Sequence, residues 1–203
     1  MTYHSQCRQD EFCVRFFNGI SKGTFVEIGA HDGIRFSNTY ALEKEFAWRG
    51  VCVEPNPTAF LKLKHNRRSH CINVAAGERS EEAVFIKASG DMENMSALAT
   101  VFDKPRFDHL AKTFVGGFET IRVNVLKTQD IFDRYCLTAI DYLSIDTDGS
   151  ELDVLKGIDW AQTQIKLVTV EDLSHTTDIH SFMRSVGYND GAELDWDYAF
   201  WKT

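Results

Sequence analysis

Apolar residues recur along this chain in short runs that alternate with amphipathic stretches, each run closing on a polar or acidic residue. Phe12, Phe16 and Phe17 mark the apolar side of a helix predicted over residues 5–18. Thr24 to Ile28 reads as a strand, followed by two glycines four residues apart, Gly29 and Gly33. Ser37 to Trp48 reads as a helix with Ser37 or Asn38 as its cap. Residues 51–54 form the next strand. Pro57 then opens a helix at a first-turn position, where its missing N–H costs nothing. Cys71 to Ala75 is a third strand, and Glu82 to Lys87 and Thr120 to Val125 also have strand character. Thr128 to Tyr135 is a helix, Ile140 to Ile145 a strand, and Ser150 to Lys156 a helix. Ile165 to Val170 is another strand. A helix through Phe182 and two short strands near Tyr188 and Tyr198–Trp201 close the series.

Alternating strands and helices predict an α/β fold: one mostly parallel, seven-stranded sheet with helices on both faces. Ligands of such sheets lie outside the carboxyl ends of the strands. Five strands here end in Glu27, Glu54, Asn73, Asp146 and Glu171, which marks that rim as the site. Residues 88–118 are polar, carry Met and Phe, and lack periodicity. A connection that long is usually functional or mobile. It reads as a lid-like or substrate-pocket insertion, or as a homodimer surface.

The chain has 203 residues and is 43% hydrophobic, which suits a single domain over 1–203 with a full core. Five scattered cysteines without a Cys-x-x-Cys pair predict reduced thiols and a cytoplasmic setting. Residues 1–6 lack the basic and apolar regions of a signal peptide. No apolar run approaches the roughly 18 residues of a membrane span. A formal net charge of −8 disfavours nucleic acid as a partner and leaves a small-molecule or carbohydrate substrate. The basic run from Lys62 to Arg68 reads as the solvated end of a helix or as a docking patch for an anion.

The stretch Phe25-Val26-Glu27-Ile28-Gly29-Ala30-His31-Asp32-Gly33, followed about twenty residues later by Val51-Cys52-Val53-Glu54, fits a nucleoside-binding turn. Glycines let the backbone approach a ligand closely. A carboxylate at the end of the second strand can accept hydrogen bonds from both ribose hydroxyls. A dinucleotide brings a pyrophosphate, which avoids acids. This loop carries Glu27 and Asp32, and His31 stands where a dinucleotide fingerprint has its middle glycine. S-adenosylmethionine is cationic and suits that charge. The alternatives are an NAD-dependent oxidoreductase and a non-catalytic cofactor-binding domain.

The chain resembles the FkbM family of S-adenosylmethionine-dependent methyltransferases. The resemblance rests on Ser5-Gln6 with Gln9-Asp10-Glu11-Phe12, the glycine block 25–33, Ser37-Asn38-Thr39, Trp48 to Asn56, Val125 to Asp130, and Ile140 to Gly157. The family pattern usually has lysine where Ser144 stands. The resemblance implies that Glu27, Gly29 and Gly33 border the methionine end of the cofactor and that Glu54 holds the ribose. It implies that Asn73, Val74 and Ala75 lie near the adenine. Ala30, His31, Pro55 and Asp146 complete the cofactor-binding set, which Ser37 and Asn38 either join or leave to cap a helix.

The family implies O-methylation of a hydroxyl on a sugar, glycolipid or secondary metabolite. Such a hydroxyl is about as weakly acidic as water, pKa about 15.7, so a base or a divalent metal must assist. Asp146 and His175 are the candidate catalytic residues, with His31 a further candidate base. Asp146, Glu171 and Asp172, at the ends of neighbouring strands, offer a hard-oxygen ligand set for Mg²⁺. If they serve otherwise, Asp146 caps the helix near Ser150 and the other two are loop acids.

Overall fold

The computed structural model describes residues 2–88, 96–101, 118–172 and 177–202. The helices are α1 (Gln9–Phe16), α2 (Tyr40–Phe46), α3 (Pro57–Asn66), α4 (Thr128–Arg134), α5 (Glu151–Lys156) and α6 (Thr177–Ser185). The strands are β1 (Thr24–Ile28), β2 (Arg49–Val53), β3 (His70–Ile72), β4 (Ala75–Gly77), β5 (Glu81–Ala88), β6 (Ala97–Leu98), β7 (Phe118–Lys127), β8 (Ala139–Ile145), β9 (Gln164–Glu171), β10 (Asn189–Leu194) and β11 (Asp197–Trp201).

Seven strands form one sheet in the order β10-β11-β9-β8-β1-β2-β3. The run from β3 through β9 is parallel. β11 is antiparallel to β9, and β10 to β11, so the sheet is mixed rather than wholly parallel. A two-residue turn at Asp195–Trp196 makes that hairpin possible, whereas a parallel return needs a crossover. The order reverses between β1 and β8, the switch point where α/β sheets open a crevice.

Alternation along the strands assigns the two faces. Val26, Ile28, Val51, Val53, Leu143, Ile145, Val168 and Val170 pack with Ile131 and Phe132 of α4, Val154 and Leu155 of α5, and Ile179 and Met183 of α6. Phe25, Cys52, Tyr142, Leu167 and Ala199 point the other way, onto Cys13, Leu42 and Leu63 from α1, α2 and α3.

A second, four-stranded sheet was not foreseen; its order is β4-β7-β5-β6. The expected strands at 82–87 and 120–125 exist, but they pair antiparallel with each other and stand outside the main sheet. The expected third strand, 71–75, is split between the two sheets. Asn73 causes the break: its Nδ2 donates to the carbonyls of Glu54 (2.8 Å) and Pro55 (3.0 Å). The side chain thereby ties the chain to the end of β2 and redirects Ala75–Gly77 to β7. The first helix is shorter than expected, because residues 4–8 form a strap. In it Asp10 accepts from the backbone N–H of His4 (2.7 Å) and the Ser5 hydroxyl, and Ser5 bridges to Phe36. Of the 88–118 insertion, Ala88, 96–101 and Phe118 are described; the rest lies outside the described residues.

Candidate functional site

A cavity of about 270 Å³ opens at the carboxyl ends of β1, β2, β8 and β9. Its apolar wall comes from Ile28, Val53, Pro55, Ala75, Ala76, Phe85 and Leu98, so the second sheet supplies half of it. Its acidic wall comes from Glu54, Asp146, Asp148 and Glu171. Among the predicted residues, Gly29, Ala30, His31, Ser37, Glu54, Pro55, Ala75, Asp146 and Glu171 line this space. Glu27, Gly33, Asn38, Asn73, Val74 and Asp172 do not. His175 lies outside the described residues.

Glu54 follows directly on β2, and backbone donors fix its carboxylate. Oε2 accepts from His31 N (2.8 Å) and Oε1 from Asn56 N (2.7 Å). Asn56 in turn caps α3, its Oδ1 accepting from Thr58 N (3.0 Å). The acid is thus held rigidly between the glycine turn and the next helix at 6% exposure, a carboxylate on an otherwise largely apolar strand end.

Glu27 has a different fate. It lies inside β1 on the Phe25 face, beneath α2 and α3. Oε1 accepts from the Ser37 hydroxyl (2.8 Å) and Asn38 N (2.6 Å), and Oε2 from the Thr39 hydroxyl (2.7 Å) and the Arg67 guanidinium (3.0 Å). The Arg67 side chain is wholly buried, against both expectations for the basic run. It also bonds Glu43 (3.1 Å) and lies over the Phe25 ring at 5.3 Å. Burial alone would raise the Glu43 carboxyl, but hydrogen bonds from Ser69 and Arg68 and the Arg67 charge bring it down to about 2. The network shapes the site from behind by holding Ser37 on the cavity wall. Ser37 Oγ also accepts from Tyr40 N (3.0 Å), the first residue of α2, whose N-cap position falls to Thr39 rather than to the expected Ser37 or Asn38. Asn38 turns inward, its Nδ2 donating to the Ser144 hydroxyl (2.8 Å), so Ser144 sits in a buried polar seam away from the cavity edge.

The two glycines have packing reasons. Gly29 has φ +88°, and a Cβ there would lie 1.6 Å from the Asp146 carbonyl oxygen. The β1 and β8 ends approach closely, with Asp146 N donating to Ile28 O (3.0 Å). A Cβ on Gly33 (φ +79°) would meet Leu63 at 2.6 Å and Arg67 at 2.8 Å. Three non-glycine residues of the wall, His31, Phe36 and Asp148, also have positive φ. Such strain gathers where surrounding structure over-determines a site.

Asp146 is a perturbed acid on this wall. Burial first, then the nearby charges of Glu171, Asp148, Asp197 and Glu151, hold its carboxyl well above the usual range. Neighbouring parallel strands do bring Asp146 and Glu171 to one wall. Asp172 does not converge with them: it is buried off the wall, its backbone N–H donating to Trp196 O (2.9 Å). No group of three or more His, Cys, Asp or Glu among the described residues is placed to hold a metal ion. The Mg²⁺ set expected of Asp146, Glu171 and Asp172 is therefore not assembled. The strand continues through Glu171, which leaves Asp172 on the opposite side of the pleat.

Three contributors were missed in the sequence. Glu151 accepts from Thr147 N (3.0 Å), the Thr147 hydroxyl (3.0 Å) and Gly149 N (2.9 Å), and so folds the loop that carries Asp148. Its signal was an acid at a helix start, which suggests a dipole partner rather than a loop clamp. Gln6, from the strap, and Trp196, from the β10–β11 turn, also line the cavity. Gln6 precedes the first helix and Trp196 sits in the hairpin between the two last strands, so only the fold brings them there.

The sequence profile of the methyltransferase FkbM domain matches residues 27–189. No curated protein matches the chain. Among solved structures, the FkbM methyltransferase of Methylobacillus flagellatus KT superposes with a TM-score of 0.54 at 17% identity, over 89% of this chain and 43% of that one. This chain thus spans less than half the length of that relative, and the likeness is one of fold. A precorrin-6y C5,15-methyltransferase of Geobacter metallireducens GS-15 aligns with a TM-score of 0.47 at 11% identity, over 95% of this chain and 88% of that one. A TehB-like SAM-dependent methyltransferase of Corynebacterium glutamicum gives 0.47 at 8%, over 96% and 88%. With the profile covering most of its length, this chain belongs to the FkbM methyltransferase family.

Proposed function

We propose that this chain is an S-adenosylmethionine-dependent O-methyltransferase that acts on a hydroxyl of a sugar, glycolipid or secondary metabolite. The observation that carries the reading is the Glu54 carboxylate, pinned by two backbone N–H groups on the wall of a cavity at the sheet's switch point. A carboxylate so held can accept both hydroxyls of a ribose. The apolar wall of Val53, Ala75, Phe85 and Leu98 suits a purine ring. The acids opposite, Asp146, Asp148 and Glu171, suit a ligand with positive charge and repel a pyrophosphate. This charge argument favours S-adenosylmethionine over a dinucleotide. Five unpaired thiols fit a reducing, cytoplasmic setting.

When bound, the cofactor supplies a methyl group already activated by its sulfonium. The protein's task is to bring the acceptor hydroxyl to about 3 Å from that methyl and to exclude water. Asp146 is the residue we assign to the proton. Its raised pKa brings it nearer neutrality than an ordinary carboxylate, and so makes it the stronger base once ionised. Asp146 would accept the hydroxyl proton at a carboxylate oxygen once an acceptor is bound. Glu151 keeps the adjoining loop in place, and the Glu27–Arg67 network keeps Ser37 in place.

A thermal-shift comparison with S-adenosylmethionine, S-adenosylhomocysteine and NAD tests the reading. Stabilisation by the two adenosyl compounds is expected, by RT ln(1 + [L]/Kd). Stabilisation by NAD alone would overturn it in favour of an oxidoreductase. Binding without transfer to any hydroxyl acceptor would reduce it to a cofactor-binding domain.

A further inference from the structure

We propose that Cys52 and Cys71 form an oxidisable thiol pair, which a hydroperoxide converts to a disulfide joining β2 to β3. The two residues are register partners on neighbouring parallel strands. Such partners stand about 4.7–4.9 Å apart, inside the roughly 4.4–6.8 Å Cα separation that a disulfide spans. Their side chains enter the same apolar layer. β3 is the edge strand of the main sheet, and Cys71 is only half-buried on it, so a small oxidant can reach its sulfur. Cys52 is fully buried and inaccessible to attack from outside. This is the division between an attacking and a resolving thiol.

The surroundings favour that order of events. The neighbouring Cys52 thiol lowers the Cys71 thiol pKa; burial works against this, and the Arg67 guanidinium assists it. The Cys52 thiol is pushed up, first by burial, and lies 3.9 Å from Glu27 Oε2. The Cys71 thiolate attacks one oxygen of the hydroperoxide, the O–O bond breaks, and Cys71 becomes a sulfenic acid with release of hydroxide, or of an alkoxide from an organic peroxide. The Cys52 sulfur then attacks the Cys71 sulfur. The S–O bond breaks, and the sulfenic hydroxyl leaves with the Cys52 proton as water. In sum two thiols lose two hydrogens and the peroxide is reduced. Cys7 and Cys13 are buried, and Cys136 is exposed with no strand partner, so neither arrangement recurs among the other cysteines. The bridge would stiffen β2 two residues before Glu54, on the side of the Glu27–Arg67 network.

The test uses the full chain carrying Cys136→Ser, which removes the exposed competitor. Hydrogen peroxide is added, remaining thiols are alkylated in denaturant, and intact mass and non-reduced peptides are read. The expected result is a loss of two hydrogens per chain, a linked Cys52–Cys71 peptide, and recovery of both thiols with dithiothreitol. Addition of Cys52→Ser should abolish that loss and leave a sulfenic acid on Cys71 that dimedone traps. Oxygen addition at Cys71 with Cys52 still alkylated in the otherwise unchanged chain would overturn the proposal, as would a bridge to any other cysteine. Neither outcome depends on the cofactor, so failure here leaves the functional reading intact.

Discussion

Two glutamates follow the same kind of apolar run, and the fold uses them in opposite ways. Glu27 is followed by Ile28, still within β1, and its carboxylate is consumed by Ser37, Asn38, Thr39 and Arg67. Glu54 is followed by Pro55, just beyond β2, and its carboxylate lines the cavity, with backbone donors of His31 and Asn56 behind it. One residue of strand length separates a buried structural ion pair from a ligand-facing acid. An acid inside a strand goes where the alternation of the pleat sends it, here beneath helices. An acid at the strand's end is free of that constraint and meets the crevice.

The contrast predicts different failures. Glu27→Ala takes one of two carboxylate partners from the wholly buried Arg67 guanidinium and leaves it Glu43, and breaking a buried pair costs about 3–5 kcal/mol. For a domain of this size that lowers Tm by roughly 10 °C, to be read by calorimetry. Glu54→Ala frees two backbone N–H donors at the cavity wall and should lower Tm by less than Glu27→Ala, but it should cut S-adenosylhomocysteine affinity by roughly 10- to 100-fold. That is the worth of about one or two hydrogen bonds to a charged group, at about 1.4 kcal/mol per tenfold. A Glu27 variant that folds normally would erase the distinction between the two acids.

The same network sets a pH dependence. Glu43 has a folded pKa of about 2 against an ordinary 4.5. Its contribution to stability is therefore fully present above pH 4.5 and is lost as pH falls toward 2, about 3 kcal/mol in all. Urea midpoints between pH 5 and 2 should fall more steeply in the parent chain than in Glu43→Gln. Asp146 responds in the opposite region of the scale. Its carboxyl titrates well above the ordinary 3.8, so methyl transfer should fall as pH drops through that raised value. Asp146→Asn should remove turnover, with a loss of cofactor affinity smaller than that of Glu54→Ala. The smallest effects are expected at the cavity's remote lining: Gln6→Ala and Trp196→Ala should change acceptor KM severalfold with Tm held. A turnover loss as large as that of Asp146→Asn would place the strap or the turn at the reacting atoms instead.

The sequence disclosed most of the main sheet because its strands are bounded by polar residues and alternate cleanly, as Phe25–Ile28 and Ile140–Ile145 do. The site's location followed from Glu54 and Asp146 at strand ends. Less visible were features made by side chains acting across the chain. Asn73 splits one expected strand between two sheets by bonding the carbonyls of Glu54 and Pro55. Arg67 sits in a basic run that implies solvent, yet three elements close over it. Gly29 and Gly33 announced a tight turn correctly, but the atoms they accommodate belong to Asp146, Leu63 and Arg67. Gln6 reaches the cavity only because Asp10 folds residues 4–8 back over the carboxyl edge.

The account's central claim is that Glu54 grips the cofactor's ribose while Glu27 serves the fold. Isothermal titration of S-adenosylhomocysteine into the parent chain and into Glu54→Ala, each first shown to be folded by circular dichroism, tests it most directly. The account predicts saturable binding to the parent and an affinity at least tenfold weaker in the variant. Equal affinity in both proteins would contradict it.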